Sequence, residues 1–338
     1  MPSWRLLYSL RTQTNRSDRP LTAGFAELRP PPADIALLTD GRYTALVAAP
    51  DDWYLANILQ DDRLLQAALA KLGLSSVRVD WAATDVEWSR FRCAVFRTTW
   101  DYFDRIGQFT TWLERVRTLT RLCNDSSIIT WNLDKHYLAD LARRGIPVVP
   151  SRFVERGSAT TLAELLEETG WSDAVVKPCV SGGARHTYRV NRSDTDALEP
   201  IVRQLLCDES LILQPLMGDV VSNGEYTLMI IDGRYTHAVR KAPRPGDFRV
   251  QDDHGGTVHE FQPDAAMIAL AERVIAAAPS PPAYGRVDLV RDANGAWAVM
   301  ELELIEPELW LRRCPAAADR LARAIAKFVG RTKGVASA

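Results

Sequence analysis

Between Asp34 and residue 125, β-rich runs of strand length alternate with amphipathic runs of helix length, and this alternation narrows the fold more than any other feature. "DIALLTD" (Asp34 to Asp40) reads as a buried first strand, and after a long connection "DDRLLQAALAKLGL" repeats its apolar positions at helical spacing. "SSVRVDW", "CAVFRTTWDY" and "TRLCND" read as three further strands, the last two separated by the helical pattern "DRIGQFTTWLERVRTL". Strands that alternate with helices pair in parallel, because the helix carries the chain back across the sheet. An α/β domain over residues 35–125 is therefore expected.

Beyond it the pattern changes. "NLDKHYLADLARRGIP" predicts an amphipathic helix begun by Asn132 and stopped by Gly145 and Pro147, and "DAVVKPCVSGGARHTYRV" predicts two strands joined by a loop of small residues. "GEYTLMIIDGRYTHAVRK" predicts a hairpin turning at Asp232-Gly233. "YGRVDLVRDANGAWAVMELEL" predicts another turning at Asn294-Gly295, since two-residue hairpin turns favour both dipeptides. The chain thus divides into an extension (1–34), the α/β domain (35–125), a lobe with a glycine loop (126–213) and a C-terminal lobe (214–330). The extension holds several Arg, Ser and Thr and ends in a proline cluster, without an apolar segment and cleavage site. It reads as a mobile segment or an over-long start, with a transit peptide as the alternative.

At 338 residues the chain is long enough for two or three such units, and 46% apolar with 25% charged residues is ordinary for a soluble globular protein. A formal net charge of −2 argues for neither nucleic acid nor an anionic membrane as partner. No run approaches the roughly 18 apolar residues that span a bilayer. The five cysteines are odd in number and scattered, which favours a reduced, cytoplasmic compartment and small buried thiols over disulfides or zinc.

In "WAVMELELIEP" (Trp297 to Pro307) two acids interrupt a strand. Side chains of a strand alternate faces, so Trp297, Val299, Glu301 and Glu303 are expected on one side and Ala298, Met300, Leu302 and Leu304 on the other. A two-residue turn at Asn294-Gly295 sets Asp288 opposite Glu301 and Arg286 opposite Glu303, with opposed Cβ atoms about 4.5–5.5 Å apart. Three oxygen donors on one surface suit Mg²⁺. The competing reading is a solvated face on which Arg286 pairs with Glu303.

Lys177 closes the strand "DAVVK" just before "SGGARH", and a lysine beside a loop of unobstructed backbone N–H groups can grip phosphate oxygens. An ordinary turn is the alternative. Lys135 falls in the first turn of the helix begun by Asn132, either pointing off its end or solvated. "LILQPLM" is an apolar strand that stops at Gln214-Pro215 and could hinge two lobes, and Glu225 opens the hairpin after it.

Taken in order, these pieces resemble the ATP-grasp superfamily: Lys135; Lys177 with Ser181-Gly182-Gly183; Gln214; Gly224-Glu225; "GDFR" ending at Arg249 with Gly255-Gly256; then Asp288, Glu301 and Glu303. "GDFRVQDDHGG" is similar to the loop of glutathione-synthetase-like ligases, and "RTTWDY", "NLDK" and "ELELIEP" to a small-molecule subgroup that includes the O-ureidoserine cyclo-ligase of cycloserine biosynthesis. The resemblance spans about residues 126 to 328 and departs at Glu303, where many relatives carry Asn.

It implies an α/β fold in which two α+β lobes behind the parallel-sheet domain clasp ATP. It also implies a homo-oligomer and an enzyme that joins a carboxylate to an amine through an acylphosphate, on a small amino-acid or peptide-like substrate. An intramolecular cyclo-ligase is the alternative, and an ATP-binding protein without turnover the weaker one. Lys135 and Lys177 would hold phosphates, Ser181, Gly182 and Gly183 would cover them, Gln214 would sit by adenine and Glu225 by the ribose. Asp288, Glu301 and Glu303 would bind two Mg²⁺ ions, for which Mn²⁺ could substitute, and Arg249 and Arg286 would stabilise the charge that develops.

For the substrate, Arg97 and Asp101 in "RTTWDY" follow a strand of the parallel sheet, where ligands of open α/β sheets gather, and they offer a clamp for an amino-acid zwitterion. An Arg97–Asp101 ion pair capping the next helix is the alternative. Arg240 and Glu306 complete the expected substrate set. Among five histidines none has metal-ligand spacing, and His254 in the basic loop is the one worth testing.

Overall fold

The computed structural model describes residues 33–251 and 255–330; the extension up to residue 32 and His254 lie outside the described residues. The expected alternation is present. β1 (Ile35–Thr39), α1 (Trp53–Lys71), β2 (Ser76–Asp80), β3 (Cys93–Thr98), α2 (Ile106–Leu119) and β4 (Arg121–Cys123) form a parallel sheet of order β2-β1-β3-β4. β1 is buried on both faces, which is why "IALLT" shows no polar alternation. α1 starts upstream of the expected run, at Trp53, because Asp52 caps it by accepting the Leu55 N–H (2.9 Å).

The helix expected from Asn132 is instead two short ones, α3 (Ser126–Asn132) and α4 (Tyr137–Arg143). Asp125 caps α3 by accepting the Ser127 N–H (2.9 Å), and Asp134 accepts the His136 N–H (2.9 Å), a local bond that competes with helix. The Lys135 N–H leaves the helical ladder for the Cys179 carbonyl (3.0 Å). Lys135 therefore lies in a turn and not in a helix begun by Asn132.

β5 (Arg152–Val154), α5 (Leu162–Thr169), β6 (Asp173–Pro178), β7 (Tyr188–Asn191), α6 (Thr195–Asp208) and β8 (Leu211–Pro215) follow, with the strands in an antiparallel sheet of order β5-β8-β6-β7. After α7 (Gly218–Asn223) come β9 (Glu225–Ile231), β10 (Arg234–Ala242), β11 (Thr257–Phe261), α8 (Ala265–Ala276), β12 (Tyr284–Arg291), β13 (Trp297–Glu303) and α9 (Pro315–Gly330). These strands pair in the order β11-β10-β9-β12-β13. The β9–β10 hairpin turns where expected, with positive φ at Asp232 (52°) and Gly233 (70°).

The last hairpin departs from expectation twice, and the departures cancel. Its loop is three residues, since Arg291 pairs with Trp297 and the Asp292 N–H donates to Ala296 (2.9 Å). A bulge at Met300 then restores the register, so Asp288 opposes Glu301 and Arg286 opposes Glu303. The bulge also overturns the expected faces. Val299 joins Leu302 and Leu304 in the core, while Met300 lines a cavity beside Glu301 and Glu303.

β13 is an edge strand, and its backbone is tied down by neighbours. Asn132 accepts the Leu304 N–H (2.7 Å) and donates to the Leu302 carbonyl (2.9 Å), the Tyr137 hydroxyl accepts the Leu302 N–H (3.0 Å), and Val299 bonds to Pro147 and Val149. Asn124, at the end of β4, donates to Tyr284 and Leu304 and so joins the parallel sheet to β12 and β13. The backbone of the strand carrying the acids is thus hydrogen-bonded along its outer edge as well as to β12.

Candidate active site

A cavity of about 450 Å³ opens between the three sheets, a size suited to a small ligand. Of the expected residues, Lys135, Lys177, Ser181, Gly182, Gly183, Gln214, Glu225, Arg249, Arg286, Glu301, Glu303 and Glu306 line it. Four do not: Asp288, Arg97, Asp101 and Arg240.

Lys135 is the node of the charged wall. Its Nζ donates to the Ser181 carbonyl (2.7 Å) and lies 3.1 Å from Glu301, which links the glycine loop to β13. Burial works against the Glu301 carboxylate, but Lys135 and Lys177 outweigh it and hold its pKa below the usual value. Asp288 is fully buried behind the wall, where burial is overcome by Arg286 (2.8 Å) and Lys241 (2.9 Å), and its pKa is depressed. Lys241 also pairs with Glu225, and Arg286 with Glu303. Burial lifts Glu225 and Glu303 to about 7, Asp288 adding to both and the paired cations only partly compensating. Arg286 pairs with Glu303, as one of the two expected readings had it, but the pair faces the cavity and not a solvated outer face.

Gln214 is buried on β8 and donates to Ser151 (3.0 Å), next to apolar walls from Val175, Leu216, Met217 and Met300 that sequence reasoning missed. Gly182 packs against Phe103, and a Cβ there would lie 2.6 Å from its ring. Arg185, in the same loop, reaches Asp104 (3.0 Å) and Glu209 (2.9 Å). Arg249 is held by Asp247 (2.8 Å), whose pKa falls chiefly through that hydrogen bond.

The expected substrate clamp does not form. Arg97 lies within β3 and turns to Asp62 on α1 (3.0 Å), while Asp101 accepts from Trp81 (2.7 Å) and Arg105 (2.6 Å). Burial of Asp62 draws the nearest guanidinium groups to it, including Arg78 (2.8 Å), so a strand residue meets the helix packed on the sheet before it can reach the sheet's end. Arg240 donates to the Asn223 carbonyl (2.7 Å), and it is the next residue, Lys241, on the opposite face of β10, that enters the cavity.

The sheet end is nevertheless occupied, by residues the sequence reading passed over. Arg42 and Tyr43 after β1, Tyr54 on α1, and Trp100 and Phe103 after β3 line the cavity, as do Glu308 and Trp310. The placement follows the rule that ligands gather at the carboxyl ends of parallel strands, and the long connection after β1 was the available signal.

Nearly every charge on the wall has a counter-charge: besides the pairs above, Arg42 meets Asp40 (2.7 Å) and Glu308 meets Arg312 (2.6 Å). Among the described residues lining the cavity, Lys177 and Glu306 have no ion-pair partner. Burial lowers the Lys177 pKa, Glu301 opposing and Lys135 reinforcing the shift. Burial drives Glu306 well above the usual carboxylate range, with Glu303 adding to it.

Residues 35–124 match the family model of the D-cycloserine synthetase DcsG N-terminal domain. Over 311 residues the chain is 35% identical to the cycloserine biosynthesis protein DcsG of Streptomyces lavendulae, covering 87% of this chain and 98% of that relative. The chain belongs to the DcsG family of ATP-grasp ligases. The solved structure of D-cycloserine synthetase DcsG superposes on the ligase with a TM-score of 0.73 at 33% identity, over 87% of this chain and 99% of that one. The fold is shared with a RimK-domain ATP-grasp protein from Sphaerobacter thermophilus (TM-score 0.59, 19% identity, 88% and 100% covered). It is shared as well with the D-alanine–D-alanine ligase of Bacillus anthracis (TM-score 0.60, 17% identity, 88% and 97% covered). The ligase thus belongs to a class of enzymes that form carbon–nitrogen bonds at the expense of ATP.

Proposed function

We propose that the ligase phosphorylates the carboxylate of a small amino acid with ATP and closes an amide within the same molecule, as a cyclo-ligase of the O-ureidoserine type. The observation that carries the ligase chemistry is the single wall on which Lys135, Lys177, Glu301, Glu303 and Arg286 face one cavity. The family match over both the N-terminal residues and the whole chain favours ring closure over joining two molecules.

The donor set fits Mg²⁺: Asp288, Glu301 and Glu303 bring carboxylate oxygens within 4.8 Å of one another, and the latter two line the cavity. Two Mg²⁺ ions, or Mn²⁺ in their place, would neutralise phosphate charge there. Lys177 then meets the triphosphate as a cation without a competing partner, and Lys135 holds Ser181, Gly182 and Gly183 against it. Gln214 and its apolar neighbours take the base. Glu225, committed to Lys241, supports the metal end better than it serves a ribose. Arg286 and Arg249 stabilise the charge that builds on the acylphosphate and on the tetrahedral centre during amine attack, a role that alignment and fixed charge can fill without covalent help from the protein.

The test is ADP release with O-ureidoserine as sole substrate, with the product identified by mass analysis. Ring closure predicts ADP release without a second amine. Release that depends on an added amine would replace the cyclo-ligase reading with the intermolecular one, and none with any carboxylate tried, despite measurable ATP binding, would overturn both.

A further inference from the structure

The two unpaired charges lie on different parts of the wall, and they call for different ligands. Lys177 belongs to the phosphate site already described. Glu306 follows β13, is only 8% exposed and, among the described residues, accepts no bond beyond one from its own backbone N–H. A buried carboxylate without a counter-ion is costly, and a ligand that brings positive charge removes that cost.

What stands around Glu306 favours a cation. Its carbonyl accepts the Trp100 indole N–H (3.0 Å), which fixes that ring beside it. Trp100, Tyr43 and Tyr54 touch one another, with centroids 5.7 to 6.0 Å apart, and form a wall of aromatic faces on the same cavity. Aromatic faces attract ammonium groups. The neighbouring cation, Arg42, is committed to Asp40 and to the Trp100 carbonyl (2.8 Å), so it offers no competing site for a substrate carboxylate.

We propose that this end of the cavity is a receptor for the primary ammonium group of the substrate, with Glu306 as its counter-charge and the Tyr43–Tyr54–Trp100 wall at its side. The inference rests on the ligase reading above and adds to it the residues that recognise the substrate's α-ammonium group.

The experiment measures binding by calorimetry, with Mg²⁺ and a non-hydrolysable ATP analogue present, of each enantiomer of O-ureidoserine and of its analogue with hydroxyl in place of the α-ammonium. Wild type should bind one amino-acid enantiomer about 10- to 100-fold tighter than the hydroxy acid, the range of a hydrogen bond to a charged group. Glu306→Gln should abolish that preference and Glu306→Asp should retain part of it, with unchanged affinity for the nucleotide. Equal binding of both analogues by wild type, no binding of either, a preference that survives Glu306→Gln, or an altered Mg²⁺ requirement in that variant would each overturn the receptor. Failure of the ligase reading looks different: the amino acid binds with the expected preference and no ADP is released.

Discussion

The two ends of the cavity are built on opposite principles. At the proposed nucleotide end, acids and bases alternate on adjacent strands and nearly all are paired before any ligand arrives, Lys135 with Glu301, Lys241 with Glu225 and Asp288, Arg286 with Asp288 and Glu303. At the other end, aromatic rings from three separate segments share the cavity with one carboxylate that has no counter-ion among the described residues. Pairing fixes geometry in advance, which suits a phosphate whose charge must be matched in transit; an unpaired acid instead leaves recognition to the ligand that completes it.

The largest expected effect lies at the paired end. Glu301→Gln removes a proposed metal ligand and the partner of Lys135 together, and turnover should fall about 100-fold or more, with ATP affinity reduced less. Parallel assays of ADP release and calorimetric ATP binding check this; undiminished turnover would dissolve the contrast between the ends. Lys177→Met sharpens it. Because this lysine has no ion-pair partner, nucleotide affinity should drop about 10- to 100-fold while the melting temperature holds. Lys135→Met should lose both, since Ser181 and Glu301 are left unpartnered.

A smaller effect tests whether the ends communicate through the glycine loop. Gly182→Ala sets a Cβ 2.6 Å from Phe103 and should destabilise by about 1–3 kcal/mol in denaturant unfolding. Phe103→Ala in the same chain should recover part of this, and strict additivity of the two changes would mean the loop and the aromatic end are not in register. Hydrogen exchange at Gly182 and Gly183 should slow when Mg²⁺ and an ATP analogue bind.

The smallest concerns His136, next to Lys135 but outside the cavity lining, between Asp134 and Glu155 (3.0 Å). Burial lowers its pKa, yet the two acids prevail and raise it. A raised folded-state pKa contributes stability that is complete below the unfolded value near 6.5 and is lost as pH rises through the folded value. Stability should therefore slip slightly between pH 6 and 8, by ~0.5 kcal/mol or less given the exposure of the ring, read as a small fall in melting temperature, and His136→Gln should flatten that slope.

Sequence alone determined the parallel-sheet alternation, the two hairpins and the motif order from Lys135 to Glu303, because local periodicity and turn chemistry settle these within a few residues. Even there it reached the Asp288–Glu301 register by two offsetting errors: a bulge at Met300 depends on what β13 packs against, which no alternation records. Arg97 stays out of the cavity because it turns to Asp62 on α1, and Lys241 enters in place of Arg240 because the two lie on opposite faces of β10. The isolation of Glu306 is likewise a property of the tertiary structure. Whether an acid is paired depends on every segment that could bring it a cation, and those segments lie far apart in the chain.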